Sequence, residues 1–140
     1  MTDPLPPLPQ PGPDTQEFWD GCRRHELRIQ RCRACARPRF APRPSCPHCG
    51  ALAFEWFTAK GTGRVVAWTV VHGPTLPAFQ ALVPYAAGVV RLDEGVFMVG
   101  QIRGCAPDAV HAGQRVRVVF DDVAADVSLP HWRVVGGRAR

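Results

Sequence analysis

The chain has 140 residues, enough to bury one real core but not two independent ones. Its 46% hydrophobic and 21% charged residues are those of a globular protein, and no apolar run approaches the roughly 18 residues that would make it a helical membrane protein. Net charge is +5, divided as −4 over residues 1–20, +7 over 21–60 and +2 over 61–140, so the basic character belongs to one segment; it suits an anionic partner without choosing among a phosphate-bearing cofactor, a nucleic acid and an acidic protein face.

Residues 1–13 (MTDPLPPLPQPGP) hold six prolines, lack the backbone donors for a ladder, and read as an extended tail. With Asp3 near the start and neither a basic nor an apolar stretch, they do not resemble a secretory leader, and a cytoplasmic location is expected. The next segment, 14–26, opens with Asp14 and Glu17 at capping-box spacing, followed by Phe18, Trp19, Cys22 and His25 at roughly helical intervals; a short helix from Thr15 to His25 is predicted. Phe18 and Trp19 anchor it to the body, and because neighbours cannot share a helix face, one of them is expected to turn toward a second subunit. In residues 27–60, Leu27–Gln30 alternates before the first of two cysteine pairs and Arg39–Ala41 stands between the pairs, the layout of ribbon strands with knuckles at the turns.

Residues 61–135 contain five segments of strand character, Gly63–His72, Tyr85–Leu92, Val96–Arg103, Arg115–Asp121 and Val127–Val134, enough for a small closed barrel, with 136–140 as a tail. Strict alternation puts Val66, Trp68 and Val70 on one face of the first segment and Val65, Ala67 and Val71 on the other. Both faces are therefore expected to be covered, one of them by something other than the barrel interior. Asp93, Glu94 and Gly95 form a short hairpin loop, and Val116, Val118 and Phe120 point inward while Arg115 and Arg117 face water.

Cys32, Cys35, Cys46 and Cys49 follow C-x2-C-x10-C-x2-C, the spacing of two facing knuckles that complete a tetrahedron of thiolates. A full tetrahedron leaves no place for water or substrate, so structural Zn²⁺ is the expected occupant. Iron, as in the rubredoxins whose knuckle CPHCG is similar to, remains the alternative. His48 lies inside the second knuckle but adds no fifth ligand. Cys22 and Cys105 read as small buried thiols. The remaining histidines, His25, His72, His111 and His131, are scattered, and no G-x-S-x-G or glycine-rich phosphate loop accompanies them, so the sequence assembles no catalytic set.

In order, the chain runs through FW in the helix, the ribbon with FAPRPSCPHCG, then GTGRVVAWTVVHGP, PYAAGVVRLDEGV and GQRVRVVF. Over about residues 15–135 this resembles the zinc-ribbon OB-fold family, once a domain of unknown function and often encoded beside thiolase-like enzymes. The resemblance implies a mainly β fold, with an N-terminal helix, a rubredoxin-like zinc ribbon and a five-stranded OB-fold barrel, and Zn²⁺ on Cys32, Cys35, Cys46 and Cys49. It implies a non-catalytic accessory subunit, held in a hetero-oligomer with a thiolase-superfamily enzyme (thiolase, acyltransferase or side-chain aldolase) of lipid or steroid metabolism. Such a subunit supports the partner's fold and its channel for coenzyme A thioesters. Arg39, Arg43, Lys60 and Arg64, at the ribbon tip and its junction with the barrel, are the candidate contacts for coenzyme A phosphates; a solvated basic face is the other reading of the same residues. The rival function is binding of single-stranded nucleic acid, for which eight arginines between Arg23 and Arg43 supply charge. One tyrosine in the chain and few outward aromatics leave it without stacking platforms.

Overall fold

The alternation after Leu27 becomes β1 (Arg28–Cys32), which pairs antiparallel with β2 (Pro38–Arg39) on one side and β3 (Phe54–Thr58) on the other. The computed structural model describes residues 6–136. Ahead of this ribbon, α1 (Gln16–Arg23) buries Phe18, Gly21 and Cys22. The predicted capping box does not form. Thr15 is the N-cap, its hydroxyl accepts the Gly12 amide at 2.9 Å, and no side chain caps the first turn. Glu17 instead accepts from Arg24 and Arg28, each at 3.2 Å: two cations within reach outcompete a single amide for a carboxylate.

The helix stops two residues earlier than predicted, in a Schellman turn. His25 takes the left-handed conformation (φ 60°), its amide donates to Cys22 O at 2.9 Å, and the Glu26 amide donates to Gly21 O at 2.8 Å. Glycine usually occupies this position; here the strain of a side chain is offset by stacking of His25 on Phe120 at 5.2 Å and a 2.8 Å contact between Nε2 and Asp122. Gly21 is needed for a different reason, since a Cβ there would lie 2.4 Å from Cγ of Arg28 on β1.

Five strands form the barrel: β4 (Thr62–Val71), β5 (Tyr85–Leu92), β6 (Phe97–Arg103), β7 (Arg115–Ala124) and β8 (Val127–Val134). Their closed order is β4-β5-β6-β8-β7, the OB-fold topology expected. All pairs are antiparallel except β6 with β8, a parallel pair that meets only at Ile102↔Trp132 and Arg103↔Arg133. Val65, Ala86, Val90, Met98, Ile102, Val116 and Trp132 fill the interior, and Phe18, Cys22, Leu27 and Ile29 join the same core. Helix, ribbon and barrel thus share one apolar centre. Among the described residues no helix is long and apolar enough to cross a membrane.

One strand departs from its predicted faces. A bulge between Val65 and Ala67 shifts the β4–β5 register, which reverses the alternation: Val65 stays inside, and Ala67 pairs with Val89 on the outside. Val66 remains 42% exposed, and Trp68, now opposite Gly88 on the face of Val65, 41%, so the described residues do not supply the expected second cover.

Candidate metal centre

The two knuckles are built by the backbone. The Cys35 amide points at Cys32 Sγ and the His48 amide at Cys46 Sγ, both at 3.4 Å, and the Cys32 and Cys46 carbonyls accept from Ala36 and Gly50. Ala36 (φ 64°) and Gly50 (φ 78°) close the turns in the left-handed region. The ribbon strands bring the knuckles together so that Cys32 and Cys49 sulfurs lie 3.6 Å apart and Cys35 and Cys46 sulfurs 3.7 Å apart, with all four ligand atoms within 4.8 Å of one another. A tetrahedron with metal–sulfur bonds of about 2.3 Å has edges of roughly 3.8 Å. The four cysteines are therefore positioned for a metal ion of that size.

Charge on the sulfurs fits the same occupant. The Cys35 amide holds the Cys32 thiol below its ordinary range. At Cys46 burial opposes ionisation, but the amides of Cys49 and His48 outweigh it and bring the thiol down to about 6. At Cys49 the Ala51 amide favours the thiolate, yet the neighbouring sulfur of Cys32, with burial and the remaining sulfurs, pushes it up to about 11. Four adjacent thiols cannot all ionise by themselves, and a cation removes the conflict. His48 is exposed and serves through its backbone. Cys22 lies outside the cluster, fully buried, with its thiol raised to about 12 by burial, which leaves it unreactive at neutral pH.

Of the four predicted phosphate contacts, Arg39 and Arg43 line one cleft and Arg64 another. Arg39 is only 3% exposed. Its Nε donates to Gln30 Oε1 at 2.7 Å, an Nη donates to the Arg43 carbonyl at 2.9 Å, and the guanidinium lies over the Phe54 ring at 5.0 Å. Gln30 Oε1 also accepts the Arg43 amide at 3.0 Å, so Arg39 is first an internal cross-link of the ribbon; the alternation around β1 and β2 carried no sign of this buried polar pair. Arg43 is exposed and borders, with His48 and Phe97, a cleft of about 250 Å³ at the ribbon–barrel junction. Lys60 is exposed, and its amide donates to Glu94 at 2.9 Å. Arg64 sits elsewhere, on the outer face of β4. Its cross-strand neighbours are Arg91 on β5 and Arg115 on β7. Arg91 was missed by sequence reasoning, although its place just before the LDEG hairpin is visible once β4 and β5 are set in register.

Beside the ribbon runs an apolar groove of about 430 Å³, walled by Phe18 and Trp19 of α1, Phe40 of the ribbon, Phe97 and Val99 of β6, and Leu129 and Pro130 of β8. Trp19 is thus the aromatic that turns outward, while Phe18 is buried against it at 5.0 Å. His131 is the polar group in this groove. It accepts the Gln101 amide on Nδ1 at 3.3 Å, and burial, helped by Arg103, holds its ring below the usual imidazole range against the pull of Asp121. A neutral imidazole with no adjacent nucleophile does not make a catalytic pair.

Comparison with known proteins agrees with this architecture. Residues 19–55 match the family described as ChsH2, rubredoxin-like zinc ribbon domain, and residues 56–121 match ChsH2, C-terminal OB-fold domain. The chain is 37% identical over 124 residues to the 3-oxo-4,17-pregnadiene-20-carboxyl-CoA hydratase alpha subunit of Mycobacterium tuberculosis, covering 89% of this chain and 39% of that one. It spans about two-fifths of the length of the hydratase alpha subunits it resembles. It is 33% identical over 101 residues to a DUF35 domain-containing scaffold protein of Methanothermobacter thermautotrophicus, covering 71% of this chain and 75% of the relative. Among solved structures, one described as Ltp2-ChsH2(DUF35) aldolase superposes with a TM-score of 0.83 at 34% identity, covering 91% of this chain and 99% of that one. With both of its structural units matched and a scaffold relative covered over three-quarters of its length, the chain belongs to the ChsH2/DUF35 family of zinc-ribbon OB-fold proteins.

Proposed function

We propose that this chain is a non-catalytic, zinc-binding accessory subunit of a thiolase-superfamily enzyme that acts on acyl-CoA thioesters, supporting the partner's fold and its coenzyme A and acyl channel. The observation that carries the reading is the likeness, over nearly the whole of the relative, to the ChsH2(DUF35) chain of an aldolase assembly. Two features of this chain support it. The metal centre offers four sulfurs and no open position, so the ion it takes is structural. Its likeness to DUF35 domain-containing scaffold proteins also leaves the chemistry to the partner. One Zn²⁺ per chain on Cys32, Cys35, Cys46 and Cys49 is part of this reading, and so is a role for the exposed Arg43 and Lys60 as contacts for coenzyme A phosphates, with Arg39 holding the Arg43 loop in place.

The test is co-expression with the thiolase-like enzyme of its own cell. Thioester turnover is compared for the enzyme alone, the complex, and complexes carrying Arg43→Ala or Lys60→Ala, while elemental analysis gives the metal. Expected are a stable complex, a gain in the partner's activity or stability, one zinc per chain, and a raised KM for the thioester in the arginine and lysine variants. Iron in native preparations would remove the zinc assignment. Absence of a complex, with tight and steeply salt-dependent binding of single-stranded nucleic acid instead, would replace the accessory reading by the nucleic-acid one.

A further inference from the structure

Cross-strand register sets the outer side chains of the barrel in rows. Arg115 of β7, Arg64 of β4, Arg91 of β5 and Phe97 of β6 form one row, and Ala67, Val89 and Val99 form the next. Phe97 is 54% exposed and Val99 68%, although both stand on a wet face where alternation calls for polar residues. Scattered exposed apolar side chains are ordinary, but here Phe97 and Val99 stand on the same outer face as Ala67 and Val89, beside the exposed Val66 of the bulge. Phe97 and Val99 also form one wall of the groove against Trp19 and Phe40, so the apolar strip runs without a break from β4 across β6 into that groove. Up to Gly100 the outer edge of β6 meets little backbone competition, because β8 pairs with β6 only at Ile102 and Arg103 and leaves Phe97–Gly100 with β5 on one side alone.

The charged end of the strip says what kind of surface fits it. Arginines directly opposite each other repel. Arg115 is answered by Asp93 at 3.3 Å, but Arg64 donates only to the Gly113 carbonyl at 3.0 Å, and among the described residues no carboxylate pairs with Arg64 or Arg91. We infer that the β4–β5–β6 face is the surface on which the partner enzyme docks, taking a protein partner that seats an apolar anchor in the Phe97–Val99–Trp19 groove and sets carboxylates against Arg64 and Arg91. An apolar centre with a charged rim is the usual anatomy of such an interface. The strip is aliphatic at Ala67, Ala87, Val89 and Val99, with Phe97 at its rim and Trp19 in the groove, which suits packing against a protein. This inference rests on the accessory-subunit reading and goes beyond it by naming the face and the partner's chemistry.

The experiment uses the full chain co-purified with its thiolase-like enzyme and measures the dissociation constant for wild type, Val99→Glu, the double reversal Arg64→Glu with Arg91→Glu, and Val123→Glu, an exposed apolar control on β7 away from the strip. Circular dichroism and melting temperature check that each variant is folded. Binding is expected to weaken at least about tenfold in Val99→Glu and in the double reversal, to stay unchanged in Val123→Glu, and to protect residues 64–68, 87–91 and 97–100 from hydrogen exchange. Wild-type affinity in both face variants overturns the face while leaving the accessory reading intact. Failure of the wild-type chain to bind the enzyme overturns both. Loss of oligothymidylate binding in the double reversal, with the enzyme complex unaffected, assigns the face to nucleic acid and ends the proposal.

Discussion

Arg39 shows how a basic residue in a basic segment can be structural. Its guanidinium holds Gln30 and the Arg43 carbonyl together inside the ribbon, so removing it leaves a buried amide oxygen and a carbonyl with fewer donors. Arg39→Ala is expected to lower stability by about 2–3 kcal/mol in urea unfolding, and Arg39→Lys to recover little, because an ammonium cannot span both acceptors in one plane; a variant as stable as the parent would contradict the cross-link. His131 gives a pH signature. Burial keeps the folded ring neutral below its ordinary pKa of 6.5, so above that value neither state binds the proton. As pH falls below about 6.5 the unfolded chain takes it up first, and stability declines until the folded ring titrates as well. Urea midpoints at about pH 5.5 and about pH 7.5 should differ less in His131→Gln than in the parent. These two residues also mark what the sequence conceals. The cysteine tetrad was legible because its spacing is local and its chemistry is specific. The roles of Arg39 and His131 depend on partners brought in from other strands, and no local pattern announces them.

At the scale of elements, the five barrel strands were legible because alternation and turn residues act within a few positions of each other, as in the Leu92–Val96 hairpin closed through Gly95 (φ 93°). The faces of β4 were not legible. A single bulge at Val65/Ala67 exchanges inside for outside, and it arises from pairing with β5 and β7 rather than from the sequence of β4 itself. The capping box failed for a related reason: Arg28, eleven residues from Glu17, is a competitor that only the packed structure supplies. Close approach between elements yields a further prediction. A Cβ at Gly100 would lie 2.9 Å from Cδ1 of Trp132, whose side chain is fully buried, so Gly100→Ala is expected to cost about 1–3 kcal/mol by overpacking. Thermal melts of this variant should shift down without loss of the metal, since the contact lies in the barrel and not in the ribbon.

Across the whole molecule, the ribbon, helix and barrel meet in one apolar core through Ile29, Leu27, Phe18 and Trp132. Loss of metal should therefore be felt beyond the knuckles. Cys46→Ser, or treatment with a strong chelator, is expected to unfold the ribbon and to lower the melting temperature of the barrel in the same transition, because metal-binding free energy in such a site is folding free energy. Two separate transitions, with the barrel melting as in the parent, would show that the halves are energetically independent. The parallel seam between β6 and β8 bears on the order in which the chain assembles. The β4–β5–β6 meander and the β7–β8 hairpin each form from neighbours in sequence, whereas Ile102 and Trp132 must find each other across thirty residues for two bridge positions. Loop-closure entropy is paid there before many contacts return it. The seam should consequently zip late, so that trimming Ile102 to valine quickens unfolding while hardly slowing the approach to the native state.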